Sequence, residues 1–447
     1  MAASDFKIII AGGGPVGLTA AIALAKAGID FILLERRSQV IIDAGSNLVM
    51  LPNGMRALYQ LGLGDSLDKV SSALSNVDVF NHQGRYTGDL QWLNLLEQNF
   101  GAFPRVLSRE DLTRILYEAI PEDARSNIHV NKKVSNITVE GGNTIVHCAD
   151  GTSYSGSAVI GADGAHSVVR ANMRTLALAA GASEVNKEQP YLTTFRCLWF
   201  RVPSSTVNLK PGTTLETHGS GAATQLFAGE DSAVIGLYEA LDQPTQVRFR
   251  FTEADEAAVV ERWGNLALNA GGSLTLRMAY DRRIQSGLVS LEEGVAEHWS
   301  WDGRIVLVGD AAHKYTPSTG AGCNTGVLDI VTLANELHNV VSNAEGGAPS
   351  SQALASAFNA YQESRYAGVV EGCQRAGMVT SMTTWRTWKL WFLDQYVFSW
   401  HFVQRYLAKF VAVKYASMEV FSYIKATERM VGRQPWVNSF PASTKAN

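Results

Sequence analysis

The segment Phe6–Arg36, FKIIIAGGGPVGLTAAIALAKAGIDFILLER, decides the fold of the N-terminal part of the chain. Its apolar run Phe6–Ala11 is short and is followed at once by glycines, which predicts a buried strand. An alanine- and leucine-rich stretch then predicts a helix that ends before Gly28, and a second apolar run predicts a strand that ends at Glu35. This order of strand, glycine turn, helix and strand is typical of a Rossmann-like α/β unit.

The three glycines of the turn predict a dinucleotide site, because each has its own physical role. Gly12 permits the tight turn, Gly14 lets the backbone approach a pyrophosphate, and Gly17 lets the helix pack closely on the strand. The N-terminus of the helix adds a positive dipole that favours phosphate. Glu35 lies 23 residues after Gly12, where a carboxylate accepts hydrogen bonds from a ribose and disfavours a 2′-phosphate. The segment does not distinguish FAD from NAD.

The composition excludes nucleic-acid binding. The chain has 447 residues, of which 46% are hydrophobic and 18% charged, so it can bury a large core in two or more coupled domains. A formal net charge of -4 and a pI of about 6.2 lack the basic excess that a nucleic-acid surface requires. We therefore expect an ordinary globular protein with no nucleic acid and no obligate protein as its partner.

The N-terminal residues and the cysteines indicate the compartment. The opening MAASDFKIIIAGGG contains an apolar run of only a few residues that leads into a glycine turn, which is a strand pattern and not a signal peptide. Four cysteines lie far apart, without a CxxC pair or a nearby metal-ligand histidine. We expect free buried thiols, no metal site and no disulfide framework, in a cytoplasmic protein.

Two later segments repeat the pattern of an apolar strand, a glycine-aspartate pair and a helix. They are AVIGADGAHSVVR, Ala158–Arg170, and RIVLVGDAAHKYTPSTGAGCNTGVLD, Arg304–Asp329. With the first turn they make three fingerprints, GxGxxG, DG and GD, in that order. The chain therefore resembles the group A flavoprotein monooxygenases, the single-component aromatic hydroxylase family, over roughly residues 6–375.

The resemblance implies that FAD is the bound cofactor. Asp310 would contact its ribityl and pyrophosphate region, and Gly320–Gly322 would bring helix amides to the isoalloxazine carbonyl edge. That position suits the anionic reduced flavin, because a helix N-terminus favours negative charge. The complete set of residues predicted to bind the cofactor is Gly12, Gly14, Gly17, Glu35, Arg36, Val49, Arg109, Asp163, Asp310, Gly320, Gly322 and Cys323.

Three of these assignments depend on the resemblance. Arg109 begins a helix after the capping candidate Ser108 and would point at FAD, although an exposed charge in the first turn is the alternative. Asp163 would stiffen the fold near the pyrophosphate and the route of the nicotinamide cofactor. Ala44–Leu63, AGSNLVMLPNGMRALYQLGL, is similar to a family segment in which the backbone near Val49 lies beside the flavin.

The resemblance also implies the reaction. In this family NAD(P)H reduces the flavin, which reacts with O2 to give a C4a-hydroperoxide and passes one oxygen atom to an electron-rich carbon, without a metal. The chain is most similar to fungal secondary-metabolite epoxidases and hydroxylases that act on meroterpenoids or indole alkaloids. A phenol ortho-hydroxylase, a flavin-dependent dehydrogenase or reductase of the same fold, and a non-enzymatic flavin-binding scaffold remain alternatives.

Two residues are candidates for catalysis. By resemblance, Arg196 is a strand arginine that faces the flavin and substrate and steadies a developing anion. An ion pair on the sheet surface is the alternative. His218 stands where related enzymes often have a tyrosine that is proposed as a proton donor, so its role departs from the family pattern. For His313 we expect packing after the GD motif, and for Trp299 and Trp301 packing in the core or at a sheet edge.

The predicted architecture is α/β: a Rossmann-like FAD-binding domain of the GR2 type, with an inserted antiparallel β-sheet substrate domain and a C-terminal helical region. The insertion contains the β-rich runs YLTTFRCLWFRV, TTLETHG, ATQLFAGE, SAVIGLYEAL and TQVRFRFT. No second GxGxxG unit follows, so NAD(P)H is expected to bind without a Rossmann domain of its own. The predicted boundaries are 1–189 and 285–380 for the FAD-binding domain, 190–284 for the sheet and 381–447 for the helical region.

The last part of the chain is rich in aromatic residues and cations. Residues 385–447 hold nine Lys or Arg and three Asp or Glu, although the whole chain is negative. Aromatic residues from Trp388 to Phe410 recur at three- and four-residue steps, which predicts amphipathic helices. The longest uncharged run has about ten residues and is too short to span a bilayer, in contrast to related fungal enzymes that commonly end in membrane helices. A helical lid over the active site and peripheral membrane contact both remain open.

Overall fold

The computed structural model describes residues 6–43, 47–344 and 348–442. Residues 44–46, the first three of the segment expected beside the flavin, lie outside the described residues. Two main sheets organise the chain, and helices cover both.

The first sheet has six strands and forms the predicted Rossmann-like core. In spatial order they are β18 (Ser300–Trp301), β19 (Ile305–Leu307), β12 (Ala158–Gly161), β1 (Lys7–Ala11), β2 (Asp30–Leu34) and β8 (Ile128–His129). All neighbours are parallel except β18, which is antiparallel to β19. The central strands are almost wholly apolar because helices bury both of their faces. The three fingerprints follow β1, β12 and β19, so parallel pairing brings their turns to one edge of the sheet.

The second sheet has eight strands, in the order β20 (His313–Lys314), β17 (Gln285–Val295), β13 (Leu192–Pro203), β16 (Ser232–Thr245), β15 (Ala222–Ala228), β14 (Thr213–His218), β5 (Asn76–Asn81) and β6 (Tyr86–Asp89). It is antiparallel except for the pair β14 and β5. Four strands lie inside 190–284, while the others come from the segments before and after it. The run TQVRFRFT forms no strand beyond Thr245, and its Val247 and Phe249 are exposed.

Two three-stranded sheets complete the β structure. One contains β3 (Asn47–Met50), β7 (Arg105–Ser108) and β4 (Ser72–Ala73), and the other β11 (Ser153–Gly156), β10 (Asn143–Cys148) and β9 (Val134–Glu140).

The helices that matter most for the site are α1 (Pro15–Lys26), which links β1 to β2, and α11 (Ala321–Ser342), which packs against it. The others are α2 (Pro52–Gln60), α3 (Gly64–Val70), α4 (Trp92–Phe100), α5 (Arg109–Ala119), α6 (Glu122–Arg125), α7 (Val168–Ala179), α8 (Ser204–Val207), α9 (Glu253–Trp263), α10 (Leu276–Tyr280), α12 (Ser351–Thr383), α13 (Trp388–Tyr396) and α14 (His401–Ala416). Short 3₁₀ turns occupy Ala270–Gly272, Gly309–Ala311 and Pro317–Thr319.

The C-terminal region is helical only up to Ala416. Residues 417–442 then run back over α2 and α4 without regular structure: Gln60 donates to the carbonyls of Phe421 and Ile424, each at 2.7 Å, and Phe100 stacks on Trp436. Among the described residues, no helix combines the length and the apolar character needed to cross a membrane.

Candidate active site

The first glycine turn is tightly packed around Gly12 and Gly17 and open beside Gly14. Gly12 has a φ of +112°, and a Cβ on it would lie 2.5 Å from the Ala162 carbonyl oxygen. A Cβ on Gly17 would lie 1.9 Å from the Gly12 carbonyl oxygen. A Cβ on Gly14, by contrast, would have no atom nearer than the Arg109 guanidinium at 4.0 Å. Gly12 and Gly17 are therefore required for packing, whereas Gly14 borders an open cradle at the N-terminus of α1.

The cradle belongs to a cleft of mixed polar and apolar character. Its lining residues are Gly13, Gly14, Pro15, Arg37, Val40, Ile42, Arg109 and Thr113. Arg109 begins α5, and the predicted cap is confirmed because the Ser108 side chain accepts a hydrogen bond from the Asp111 N–H at 2.9 Å. Arg36 is exposed, and it is Arg37 that borders the cleft. Two adjacent arginines follow β2 in the sequence, and the conformation of the chain there determines which of them borders the cleft.

Glu35 lies at the end of β2, beside the first turn. Its buried carboxylate accepts hydrogen bonds from the Gly13 N–H at 2.8 Å and the Arg37 N–H at 2.9 Å. One acceptor position on each oxygen remains for a ribose hydroxyl. The acid predicted from its spacing is thus held rigidly at the same sheet edge as Gly14.

The GD turn places Asp310 near the cradle. Burial opposes the ionisation of Asp310, but its ion pair with Lys314 and the nearby charges of His313 and Arg109 outweigh that effect and hold its pKa below the ordinary value. Arg109 and Asp310 also lie close to Cys323, whose pKa burial raises to about 12. Arg109 therefore lies within electrostatic range of both Asp310 and Cys323, and Cys323 is a neutral thiol.

A buried ionic cluster holds the GD turn from behind. Asp329 of α11 accepts hydrogen bonds from the Gly309 N–H at 2.9 Å, His313 Nε2 at 2.6 Å and Arg365 Nε at 3.1 Å. Burial works against the charge of Asp329, but His313 and Arg365 keep its pKa below the ordinary value. His313 thus packs in the core behind the turn, where its ring lies 5.4 Å from the Trp299 ring at an angle of 48°.

The DG motif supports the same turn from the other side. Asp163 accepts hydrogen bonds from the Val168 N–H at 2.7 Å and the Val169 N–H at 3.1 Å, so it anchors the first turn of α7. Burial raises its pKa. Arg170 of α7 then donates to the Ala311 carbonyl at 2.7 Å. Asp163 therefore orders the helix whose arginine holds the GD turn, and no described contact brings it to Gly14 or Arg109.

Asn324 is a site residue that the sequence analysis missed. It lies one residue after Cys323 in α11, and a Cβ on the preceding Gly320 would meet the Val49 side chain at 3.1 Å. The Asn324 amide donates to the Val49 carbonyl at 2.8 Å and accepts from the Leu51 N–H at 2.8 Å. It thus fixes the edge of β3 against the start of α11. Asn324 closely follows the glycines Gly320 and Gly322 at the start of a helix, and this position could have indicated a role at the site.

Replacing Asn324 by Ala is expected to lower stability and FAD affinity together. The change removes the partner of the buried Leu51 N–H, which costs about 1–3 kcal/mol, and it also removes the amide that donates to the partly buried Val49 carbonyl. Thermal unfolding midpoints, measured with and without excess FAD, test this. Asn343→Ala, an exposed change just after α11, serves as the control. An unchanged midpoint in Asn324→Ala would contradict the assignment.

One face of the eight-stranded sheet is turned toward the loop before α11. Gln225 donates to the Ser318 carbonyl at 3.1 Å and to Glu216 at 2.8 Å, and it accepts from the Tyr238 hydroxyl at 2.8 Å. Tyr238 belongs to an apolar cluster on this face with Phe195, Cys197 and Leu291. We call this surface, defined by Phe195, Cys197, Gln225, Tyr238 and Leu291, the sheet wall.

His218 is part of a buried charged triad next to the sheet wall. Its Nε2 lies 3.0 Å from Glu216 Oε2, and its Nδ1 lies 3.0 Å from Asp394 Oδ1 of α13. Burial opposes the charge on His218, but Asp394 and Glu216 together raise its pKa to about 10. His218 is therefore an imidazolium whose two N–H groups are both donated to carboxylates. Asp394 was not predicted, because 176 residues separate it from His218.

The structure does not bring Arg196 to this site. Side chains alternate along β13, so Arg196 points away from the face that carries Phe195 and Cys197. It pairs with Glu239 at 2.5 Å, and Glu239 also pairs with Arg262 of α9 at 2.9 Å. Burial works against the charge of Glu239, but these two arginines lower its pKa. This geometry corresponds to the surface ion pair that the sequence left open, and it corrects the expectation of an arginine facing the flavin.

The residues at the sheet edge fit FAD. Gly14 leaves a space that a single Cβ would begin to fill, the free N–H groups at the start of α1 face it, and Arg109 and Arg37 supply positive charge for a pyrophosphate. Glu35 suits a ribose. At the other end, α11 begins at Ala321 beside Val49 without a side-chain cap, so its N–H groups suit an electron-rich ring edge.

Known proteins are similar to this chain in sequence and in fold. The family model described as FAD binding domain matches residues 5–352. The FAD-dependent monooxygenase srdH of Neurospora crassa is 31% identical over 405 residues, covering 88% of this chain and 90% of that protein. The FAD-dependent monooxygenase ausM of Emericella nidulans is 33% identical over 385 residues, covering 83% of this chain and 78% of that protein.

A solved structure supports the fold. Klebsiella pneumoniae HpxO, complexed with FAD and uric acid, aligns with a TM-score of 0.68 at 19% identity, over 92% of this chain and 96% of that one. The resemblance drawn from the three fingerprints is confirmed, as is the predicted fold class. The family model spans well over half of the sequence, and the chain therefore belongs to the FAD-binding domain family as an FAD-dependent monooxygenase.

Proposed function

We propose that this monooxygenase uses NAD(P)H and O2 to epoxidise or hydroxylate a large, apolar, electron-rich natural product such as an indole alkaloid or a meroterpenoid. NAD(P)H is the reductant that the family resemblance implies. Bound FAD supplies the redox chemistry, namely acceptance of a hydride and activation of O2. The chain supplies binding, orientation and a dry environment for the reacting atoms.

The sheet wall opposite the start of α11 is the observation that carries this proposal. Its side chains are mostly apolar, and its polar groups are few and already oriented: Gln225 bridges Tyr238 to the Ser318 carbonyl. Ligand sites of this kind are apolar with a few convergent polar groups, and they favour domain interfaces. The residues of this wall are already buried within the chain, so an apolar substrate would pack beside the wall, next to the loop before α11, with its reacting carbon toward the flavin edge.

The charged triad suits an electrostatic role rather than proton transfer. His218 holds its proton between two carboxylates, so it is a poor donor at neutral pH. Burial raises the pKa of Tyr238 well above its ordinary value, which keeps its hydroxyl protonated and donating to Gln225. We therefore propose that His218 and Glu216 orient Gln225 and Tyr238, and that they act on the substrate only through these two residues.

The reaction can be tested with the FAD-loaded protein and a panel of prenylated indoles and farnesylated phenols. We expect a member of the panel to stimulate NADPH oxidation with matching O2 uptake, and mass spectrometry to find a product heavier by one oxygen atom. Turnover with another acceptor in the absence of O2 would instead favour a dehydrogenase or reductase. Products limited to ortho-hydroxylated phenols would favour a phenol hydroxylase.

A further inference from the structure

Helix α14 presents its apolar side to solvent. The residues on its protein-facing side are small or polar: Gln404, Ala408, Ala412 and Ala416, spaced four apart and buried. Its outward side carries Phe402, Tyr406, Phe410 and Val413, which are 63%, 59%, 54% and 58% exposed. A helix on the surface of a globular protein normally buries its apolar stripe. This orientation is reversed, so packing within the chain does not explain the aromatic residues.

Specific hydrogen bonds hold α14 in the reversed orientation. Gln404 accepts from the Gln91 N–H at 2.6 Å, and it donates to the carbonyls of Asp89 at 3.1 Å and Phe398 at 2.9 Å. The ring of His401 lies 3.0 Å from the Asp89 carboxylate. Turning the helix to bury its aromatic side would break its contacts with Asp89 and Gln91 and leave Gln404 exposed.

The preceding helix also directs aromatic residues to solvent, and the Trp400 ring between the two helices lies 5.4 Å from the Phe402 ring of α14. Trp388, Phe392 and Tyr396 of α13 are 72%, 47% and 53% exposed, and Trp400 between the helices is 57% exposed. Asp394, in contrast, is turned inward to His218. Helix α13 thus directs its one acid into the protein, and both helices direct aromatic residues outward. We call the outward side of residues 388–413 the aromatic face.

The charges of the aromatic face are all positive. Lys389, Arg405 and Lys409 are exposed, and no described carboxylate lies within ion-pair distance of them. Asp394 is the only acidic residue in 388–413, and it is buried. A second copy of this face would bring cations against a surface with no acid to pair them, which disfavours self-association. The complementary partner is therefore anionic and apolar at once.

We propose that the aromatic face binds the surface of an anionic lipid bilayer, with α13 and α14 lying in the plane of the interface. Tryptophan and tyrosine favour the boundary between headgroups and acyl chains, phenylalanine inserts below it, and Lys and Arg attract anionic headgroups. The surface is independent of the flavin cleft and of the substrate assigned above, so either proposal stands if the other fails.

Vesicle sedimentation of the full-length, FAD-loaded protein tests this. We expect it to bind vesicles of phosphatidylcholine and phosphatidylserine, and to bind pure phosphatidylcholine more weakly. The double variant Phe402→Ser and Phe410→Ser should weaken the binding about tenfold or more, because two inserted rings are lost. Phe249→Ser with Ile284→Ser removes two exposed apolar residues elsewhere and should bind like the wild type.

A second variant examines the charges. Arg405→Glu with Lys409→Glu should abolish the preference for phosphatidylserine, and raised salt should weaken binding of the wild type. Bound-flavin absorbance verifies that each variant is folded. The proposal is overturned if the wild type binds neither kind of vesicle, or if the Phe402 and Phe410 variant binds vesicles as well as the Phe249 and Ile284 control variant does. Sedimentation velocity can also overturn the proposal. If the wild type forms a dimer and does not bind vesicles, and the Phe402 and Phe410 variant is a monomer, the partner of the aromatic face is a second copy of the chain.

Discussion

A Gly14→Ala variant is expected to fold normally and to lose FAD. The backbone at Gly14 has a φ of −77° and a ψ of 177°, which alanine adopts without strain, and the added Cβ would make only an ordinary contact of 4.0 Å with the Arg109 guanidinium. The methyl group would instead occupy the space through which a pyrophosphate approaches the start of α1. Forcing one extra methyl group into a packed interface costs about 1–3 kcal/mol, or roughly a five- to 150-fold loss of affinity. Fluorescence titration with FAD measures it.

Two other glycines, Gly368 and Gly17, provide controls for this prediction. Gly368→Ala in α12 also adds a methyl group to open space, so it should leave FAD binding unchanged. Gly17→Ala should fail differently, because its Cβ would lie 1.9 Å from the Gly12 carbonyl oxygen and would prevent folding. If Gly14→Ala bound FAD as tightly as the Gly368 variant, the cradle would not be the pyrophosphate site.

Removing the buried cation at His218 is expected to destabilise the protein strongly. His218→Gln leaves Glu216 and Asp394 as two buried carboxylates on either side of a neutral group. Breaking a buried ionic cluster in this way costs about 3–5 kcal/mol. The urea midpoint at pH 7 should fall accordingly, while His298→Gln, at a half-buried histidine whose ring makes no described hydrogen bond, should be near neutral. Equal midpoints would show that the triad contributes no stability.

The same triad predicts how stability depends on pH. The pKa of His218 is raised from about 6.5 to about 10 in the folded state, so the folded chain keeps a proton that the unfolded chain releases. This contribution is complete below about pH 6.5 and is lost as the pH rises through about 10, with a slope of about 1.4 kcal/mol per pH unit between them. Urea midpoints of the wild type should therefore decline from pH 7 to pH 10.

A neutral triad provides the matched comparison for the pH dependence. The triple variant Glu216→Gln, His218→Gln and Asp394→Asn removes all three charges, and replacement of a whole ionic cluster is often far less costly than breaking it. Its midpoint should change less than that of the wild type between pH 7 and pH 10. The same decline in both proteins would assign the titration to another group.

Local sequence determined the cofactor half of the protein. A glycine with φ near +112°, a position at Gly17 with no room for a Cβ, and an acid at the end of the second strand are requirements of one short turn, so the spacing of Gly12, Gly17 and Glu35 predicts them. The GD segment is equally local: Asp310 and Lys314 are four residues apart, and Cys323 follows at the start of the next helix. Such geometry needs no knowledge of distant contacts.

Only the tertiary structure decided which side chains meet across the molecule. Asp394 reaches His218 over 176 residues and Asn324 reaches Val49 over 275, and no local pattern encodes either pair. The register of β13 against β16 decided which side of the sheet Arg196 occupies. The conformation of the turn after β2 decided that Arg37, and not Arg36, borders the cleft. The periodicity of α14 predicted an amphipathic helix, but the hydrogen bonds of Gln404 to a distant loop decided which side is exposed. Periodicity defines the two faces of a helix, whereas contacts with the rest of the chain determine which face is buried.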